Sequence, residues 1–117
     1  MQLTSNEEYN IHDAFFALAR SIHNTACSKG WWDKERNDGE MIALMHSELS
    51  ECLEAIRHKN PPSEHIPQFS GAEEEFADTV IRIMDTCYAR GWNLSGAIIA
   101  KMAFNEGREY KHGGKLF

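Results

Sequence analysis

Residues 39–57 read GEMIALMHSELSECLEAIR, and the spacing within this run decides the fold. Met41, Met45, Leu49, Cys52 and Ile56 recur at steps of three and four, the period of an amphipathic helix, and Ile42, Leu44 and Leu53 widen the stripe. Asn37 and Glu40 form a capping pair ahead of it, and the helix is predicted to end near His58. Glu48 and Glu51 lie three apart on it, which places their Cβ atoms about 5–6 Å from each other. On a helical wheel Glu48 sits at the margin of the apolar stripe and Glu51 just beyond Leu44, whereas Glu54 points away.

Working outward, the same period appears three more times. Ser5-x-x-Glu8 predicts the start of a first helix carrying Ile11, Phe15, Leu18, Ile22 and Ala26 until Gly30. Ser70-x-x-Glu73 opens a third, with Phe76, Val80, Ile83, Met84 and Cys87, that Gly91 stops. Asn93 caps a fourth, predicted from Leu94 to about Tyr110, and the tail KHGGKLF follows. All three prolines fall in NPPSEHIPQF, residues 60–69, which cannot be helical and divides the chain into two hairpin-like halves. One valine and four threonines against twelve alanines, thirteen glutamates and five methionines leave too few strand formers for a sheet. The expectation is an all-α four-helix bundle in which residues 1–117 make a single domain.

Leu, Ile, Val and Phe together number 23, a thin core for a lone monomer, so a homodimer or homotetramer is expected. The net charge of −6 argues against a nucleic-acid partner, which would require a dominant basic face. Charge is also segregated: residues 40–85 hold ten acids and three bases, while residues 101–117 hold four bases and two acids. No apolar run is long enough to cross a bilayer, and the start shows no signal-peptide pattern, so no membrane association and a cytoplasmic location are expected. Cys27, Cys52 and Cys87 form no CxxC and read as buried free thiols.

The chemistry lies in the acids. Glu75 and Asp78 on the third helix repeat the three-residue spacing of Glu48 and Glu51, with 23 residues intervening. Two such pairs facing each other make a four-carboxylate cluster, which repels itself unless a cation sits among the oxygens. An all-oxygen set suits Mg²⁺ or Mn²⁺. Equal spacing alone proves little, because Glu35 with Asp38 and Glu106 with Glu109 share it, and such pairs usually lie on a solvated face. Asp78 also lies well off the Val80/Met84 stripe, so its burial would need a second covered face. The Glu73/Glu74/Glu75 run brings Glu74 within reach of the cluster as a neighbour.

The fourth helix continues its Leu94/Ala97/Ile98 face as Lys101, Asn105 and Arg108, a row of donors suited to phosphate oxygens or, more simply, to the helix dipole. Trp31 and Trp32, beside His23 and Asn24, offer rings and polar groups to a nucleobase, or lock a helix connection. His46 reads as a core-margin residue. His65 in the proline-rich stretch has no partner the sequence identifies.

The blocks GEMIALMHSELSECLEAIR, EEEFADTVIRIMD and KMAFNEGREYKHGGK together resemble the MazG-like, all-α nucleoside triphosphate pyrophosphohydrolases, over nearly the whole chain after residue 20. The family's ExxE pair followed by an ExxD pair matches Glu48 and Glu51, then Glu75 and Asp78. The resemblance implies a helical bundle assembling as dimers or tetramers, Mg²⁺ on the four acids, and hydrolysis of a (deoxy)nucleoside triphosphate to monophosphate and pyrophosphate, in the manner of nucleotide-pool house-cleaning. On that basis Glu51 orients or deprotonates the water that attacks the α-phosphorus. Lys101 and Arg108, with Asn105, hold the leaving pyrophosphate, and Trp31 and Asn24 serve the base.

Two other readings compete. A di-iron carboxylate bundle needs ExxH on two helices, and only Glu109-x-x-His112 fits. A non-catalytic helical nucleotide-binding or regulatory module would keep the fold without requiring acids at all four positions.

Overall fold

The computed structural model describes residues 2–108, and among them the chain is all-helical: α1 (Ser5–Ser28), α2 (Asp38–Arg57), α3 (Gly71–Arg90) and α4 (Leu94–Glu106). No described helix is long and apolar enough to cross a membrane.

Local chemistry sets each boundary. The first cap lies one residue earlier than the sequence suggests. Thr4, not Ser5, has the extended backbone, its hydroxyl accepts from Glu7 N at 3.1 Å, and its own N–H donates to Glu7 Oε1 at 2.9 Å. Thr4/Glu7 offers the same reciprocal box as Ser5/Glu8 and adds one residue to the helix. Asn37 caps α2 by accepting from Glu40 N, but the Glu40 carboxylate turns instead to Arg36. Ser70 and Glu73 form a full capping box at α3, and Asn93 caps α4. α3 ends on Gly91 in the left-handed region, where a side chain would be strained. α4 stops at Glu106 ahead of Gly107, short of the expected Tyr110, which lies with the KHGGKLF tail outside the described residues.

α2 and α3 form the closest pair; α1 packs on α3, and α4 packs on α1. The connection between α2 and α3 is pinned at its base. Lys59 and Asn60 adopt positive φ, Pro62 and Ser70 make an isolated antiparallel bridge, and Gly71 N donates to Pro61 O at 2.8 Å. A Cβ on Gly71 would meet the Cβ of Ala55 at 3.2 Å, so glycine lets the start of α3 approach the end of α2.

The core is small: Ala19, Met41, Cys52, Ala72, Met84 and Ile99 are its buried apolar side chains. The helices are also rotated from their expected stripes. On α1 the inward face runs through His12, Phe15, Ala19, Ile22, His23 and Ala26, leaving Leu18 and Ile11 exposed. On α3 the buried positions include Thr79, Asp85 and Thr86, while Phe76 and Val80 are 53% and 50% exposed. α2 buries Met41 and Cys52 but exposes Ile42, Leu49, Leu53 and Ile56. α1, α2 and α3 thus each leave part of their apolar arc exposed, and on α3 polar side chains at the edge of the arc are buried against the neighbouring helices.

The same holds for α4. Its packed positions are Ser95 and Ile99, whereas Ile98 and the Lys101/Asn105/Arg108 row are exposed. The expected inward course of that row is therefore corrected within the chain. Of the cysteines, Cys52 alone is buried; Cys87 is half-buried and Cys27 exposed.

Candidate metal centre

The rotation of α3 brings its acid pair against that of α2. Oxygens of Glu48, Glu51 and Glu75 lie within 4.8 Å of one another, and so do those of Glu74, Glu75 and Asp78. Glu75 belongs to both groups. Glu54 stays outside, exposed, with its carboxylate near Arg57 and His58. Asp78 is brought in because α3 presents its polar face, from Glu75 through Thr79 and Arg82, to α2; an apolar stripe centred on Val80 would have turned it away.

The electrostatics follow from crowding. Burial pushes the Glu75 carboxyl up to about 8, and hydrogen bonds with Glu48 and Glu51 together with the negative charges of Glu51 and Asp78 add to the shift. Asp78 is also raised, first by burial and then by Glu48 and Glu74, against the opposing charge of Arg82. Burial acts to raise Glu48 as well, but hydrogen bonds from Glu75, Arg82 and Glu51 outweigh it and hold this carboxyl below the usual range. In the absence of a cation the cluster thus keeps a proton near neutral pH.

One atom has no such compensation. Glu75 Oε2 is buried and has no hydrogen-bond partner, the only such side-chain atom among the described residues. A buried carboxylate oxygen without a donor, on a residue whose carboxylate belongs to both acid groups, fits a hard divalent cation.

Beside the cluster lies a cavity of about 380 Å³, with Glu48, Asp78 and Arg82 at its polar side and Trp31, Ile22 and Met41 among its apolar walls. Arg82 Nε donates to Glu48 Oε1 at 3.0 Å, and its guanidinium stands 5.3 Å from the centre of the Trp31 ring. Arg36 stacks on the same ring at 3.8 Å. Asp85 also lines the cavity and is held by Trp32 Nε1, 3.1 Å from both carboxylate oxygens, and by His23.

Of the residues anticipated from sequence, Glu48, Glu51, Glu75, Asp78 and Trp31 are brought together. Asn24 is exposed and does not line the cavity. Lys101, Asn105 and Arg108 are exposed on and just beyond α4, with Lys101 and Arg108 over the Phe104 ring at 4.4 and 5.4 Å. His46 is exposed, a correction to its core-margin reading. His65 gains a partner, since its Nδ1 donates to Glu74 Oε2 at 2.7 Å while Ser63 Oγ donates to Glu74 Oε1 at 2.6 Å. Arg82 and Asp85 were missed. The available signal was their position four and seven residues after Asp78, on the same helical face.

Among the described residues, fold and site together define an all-helical architecture with a carboxylate cluster at the edge of a cavity walled in part by Trp31. No family model, curated protein or solved structure matches this chain.

Proposed function

We propose that the chain is a Mg²⁺-dependent nucleotide pyrophosphohydrolase, with Mn²⁺ as a second competent ion, that cleaves (deoxy)nucleoside triphosphates to monophosphate and pyrophosphate. The observation that carries this reading is the buried, unpartnered Glu75 Oε2 within a carboxylate cluster that opens on a cavity large enough for part of a nucleotide. Glu48, Glu51, Glu75 and Asp78 would hold the ion. It would neutralise phosphate charge and acidify a coordinated water.

The chain's own groups divide the remaining work. Glu51, the exposed acid of the first group, orients the attacking water and receives its proton. Trp31 offers a ring face to the base. Arg82, whose terminal amino groups make no hydrogen bond among the described residues, stands ready for a phosphate oxygen at the cavity wall. Lys101, Asn105 and Arg108 reach the leaving pyrophosphate only if another copy of the chain presents them, which ties activity to a homodimer or homotetramer. A cytoplasmic role in clearing nucleotide pools agrees with this chemistry.

Chromatography of products from a panel of nucleoside triphosphates with Mg²⁺ tests the proposal. Monophosphate plus pyrophosphate is expected. Diphosphate plus orthophosphate would overturn the assigned bond, and nucleotide binding without turnover would leave a non-catalytic regulatory module.

A further inference from the structure

The three thiols stand in different surroundings. Cys52 is buried and donates to the carbonyl of Ala72, and Cys87 is half-buried, its thiol pushed up by burial. Cys27 is exposed on the last turn of α1, with its Sγ 3.4 Å from Nε2 of His23, one turn back. The other ring nitrogen of His23, Nδ1, lies 2.7 Å from Oδ1 of Asp85 on α3. A carboxylate oxygen only accepts, so the Nδ1 proton is donated to Asp85, and in the neutral form of the ring the bare lone pair is on Nε2, facing the thiol.

The base is held firmly. Asp85 is 7% exposed and anchored by Trp32, and the His23 ring lies against the rings of Trp32 and Tyr88, at 5.6 and 5.0 Å between centres. Nucleophile, base and orienting carboxylate therefore stand in the order that activates a thiol. A helix-to-helix anchor alone would need His23 and Asp85 but no thiol on the imidazole's second nitrogen. Cys27 is exposed and does not line the cavity beside the carboxylate cluster. Thiol–disulfide exchange needs only access to sulfur.

We propose that Cys27 is a modification site for small disulfides, with His23 as its base and Asp85 as the group that positions the imidazole. The Sγ proton passes to His23 Nε2, and the thiolate attacks one sulfur of the incoming disulfide. A new S–S bond forms as the old one breaks, and the departing thiolate takes the proton from His23. Cys27 is oxidised to the mixed disulfide and half of the reagent is reduced to a thiol.

The experiment treats the full chain with oxidised glutathione and follows each cysteine by peptide mass spectrometry. Cys27 is expected to be modified first and faster in the folded protein than in the same chain unfolded in urea. His23→Gln is expected to slow its modification roughly tenfold or more. Asp85→Asn is expected to slow it as well, with recovery in Asp85→Glu. Modification of buried Cys52 reports any variant that has lost its fold, and the folded-against-unfolded comparison of the unaltered protein then still decides. A Cys27 rate no higher in the folded chain than in urea, or unchanged in a folded His23→Gln variant, would overturn the proposal.

Discussion

Arg82 Nε donates to Glu48 Oε1 at 3.0 Å, so a guanidinium on α3 occupies one of the acids that would hold a cation on α2. Both side chains are largely shielded, at 30% and 13% exposure. The pair joins the two helices at the cavity wall, and it also competes with any ion for Glu48.

That competition gives opposite signs for one substitution. Arg82→Gln removes the positive charge beside Glu48 and should cost the metal-free protein about 1–2 kcal/mol, because a shielded carboxylate loses its partner. The same change should raise the affinity for Mg²⁺ alone and lower the affinity for a nucleoside triphosphate in its presence. Urea unfolding in chelator and calorimetric titration check the three effects. Weaker binding of Mg²⁺ alone would contradict the competition.

Stability should depend on pH through Glu75. Its folded-state carboxyl sits at about 8, above the ordinary 4.5, so the folded state binds the proton more tightly than the unfolded chain does. The resulting stabilisation is complete below about pH 4.5 and lost as pH rises through about 8. Metal-free protein is expected to lose stability on the order of a few kcal/mol across that window, and Glu75→Gln, which cannot ionise, should flatten the loss. Thermal melts in chelator at a series of pH values read this directly, and an unchanged slope in Glu75→Gln would refute it.

Mg²⁺ should act in the reverse sense. A cation replaces the shared proton, so its affinity should rise with pH toward 8, and binding should release protons in a weakly buffered titration. Asp78→Asn and Glu51→Gln should each abolish nearly all turnover and most of the Mg²⁺-induced gain in melting temperature. Glu54→Gln should preserve both, since Glu54 lies on the exposed side of α2 near Arg57 and His58.

The exposed apolar faces of α2 and α3 lead to the fourth expectation. Ile42, Leu49, Leu53, Ile56, Phe76 and Val80 are large apolar side chains that α2 and α3 leave exposed, a surface suited to another copy of the chain. Light scattering is expected to give the mass of two or four chains at micromolar concentration. Leu53→Lys or Val80→Lys should shift it toward one, and a single-chain mass for the unaltered protein would sink this expectation.

The helices were readable from residue order because their determinants are local. Period 3.6 in residues 39–57, the Ser70/Glu73 box, Asn37 and Asn93 as caps, and Gly91 as a stop all act within a turn or two, and the structure places each accordingly. Where two local solutions were equivalent, as with Thr4/Glu7 and Ser5/Glu8, residue order alone did not choose between them. The acid pairs were legible for the same reason, since a three-residue spacing puts both members on neighbouring turns whatever lies opposite.

Rotation of each helix about its axis was not legible, because it depends on how much apolar arc the neighbours can cover. α3 turns Thr79, Arg82 and Asp85 inward and leaves Val80 outside, and that rotation carries Asp78 to the cluster and Arg82 to Glu48. It equally brings Asp85 to His23 across 62 residues of chain, and the folding back of residues 60–70 brings His65 to Glu74. The amino-acid order establishes four amphipathic helices and which carboxylates share a turn, since short-range sterics and hydrogen bonds suffice for both. Which charges meet across helices, and which carboxyl keeps a proton, comes from packing, where desolvation and opposing charges act between residues far apart in the chain.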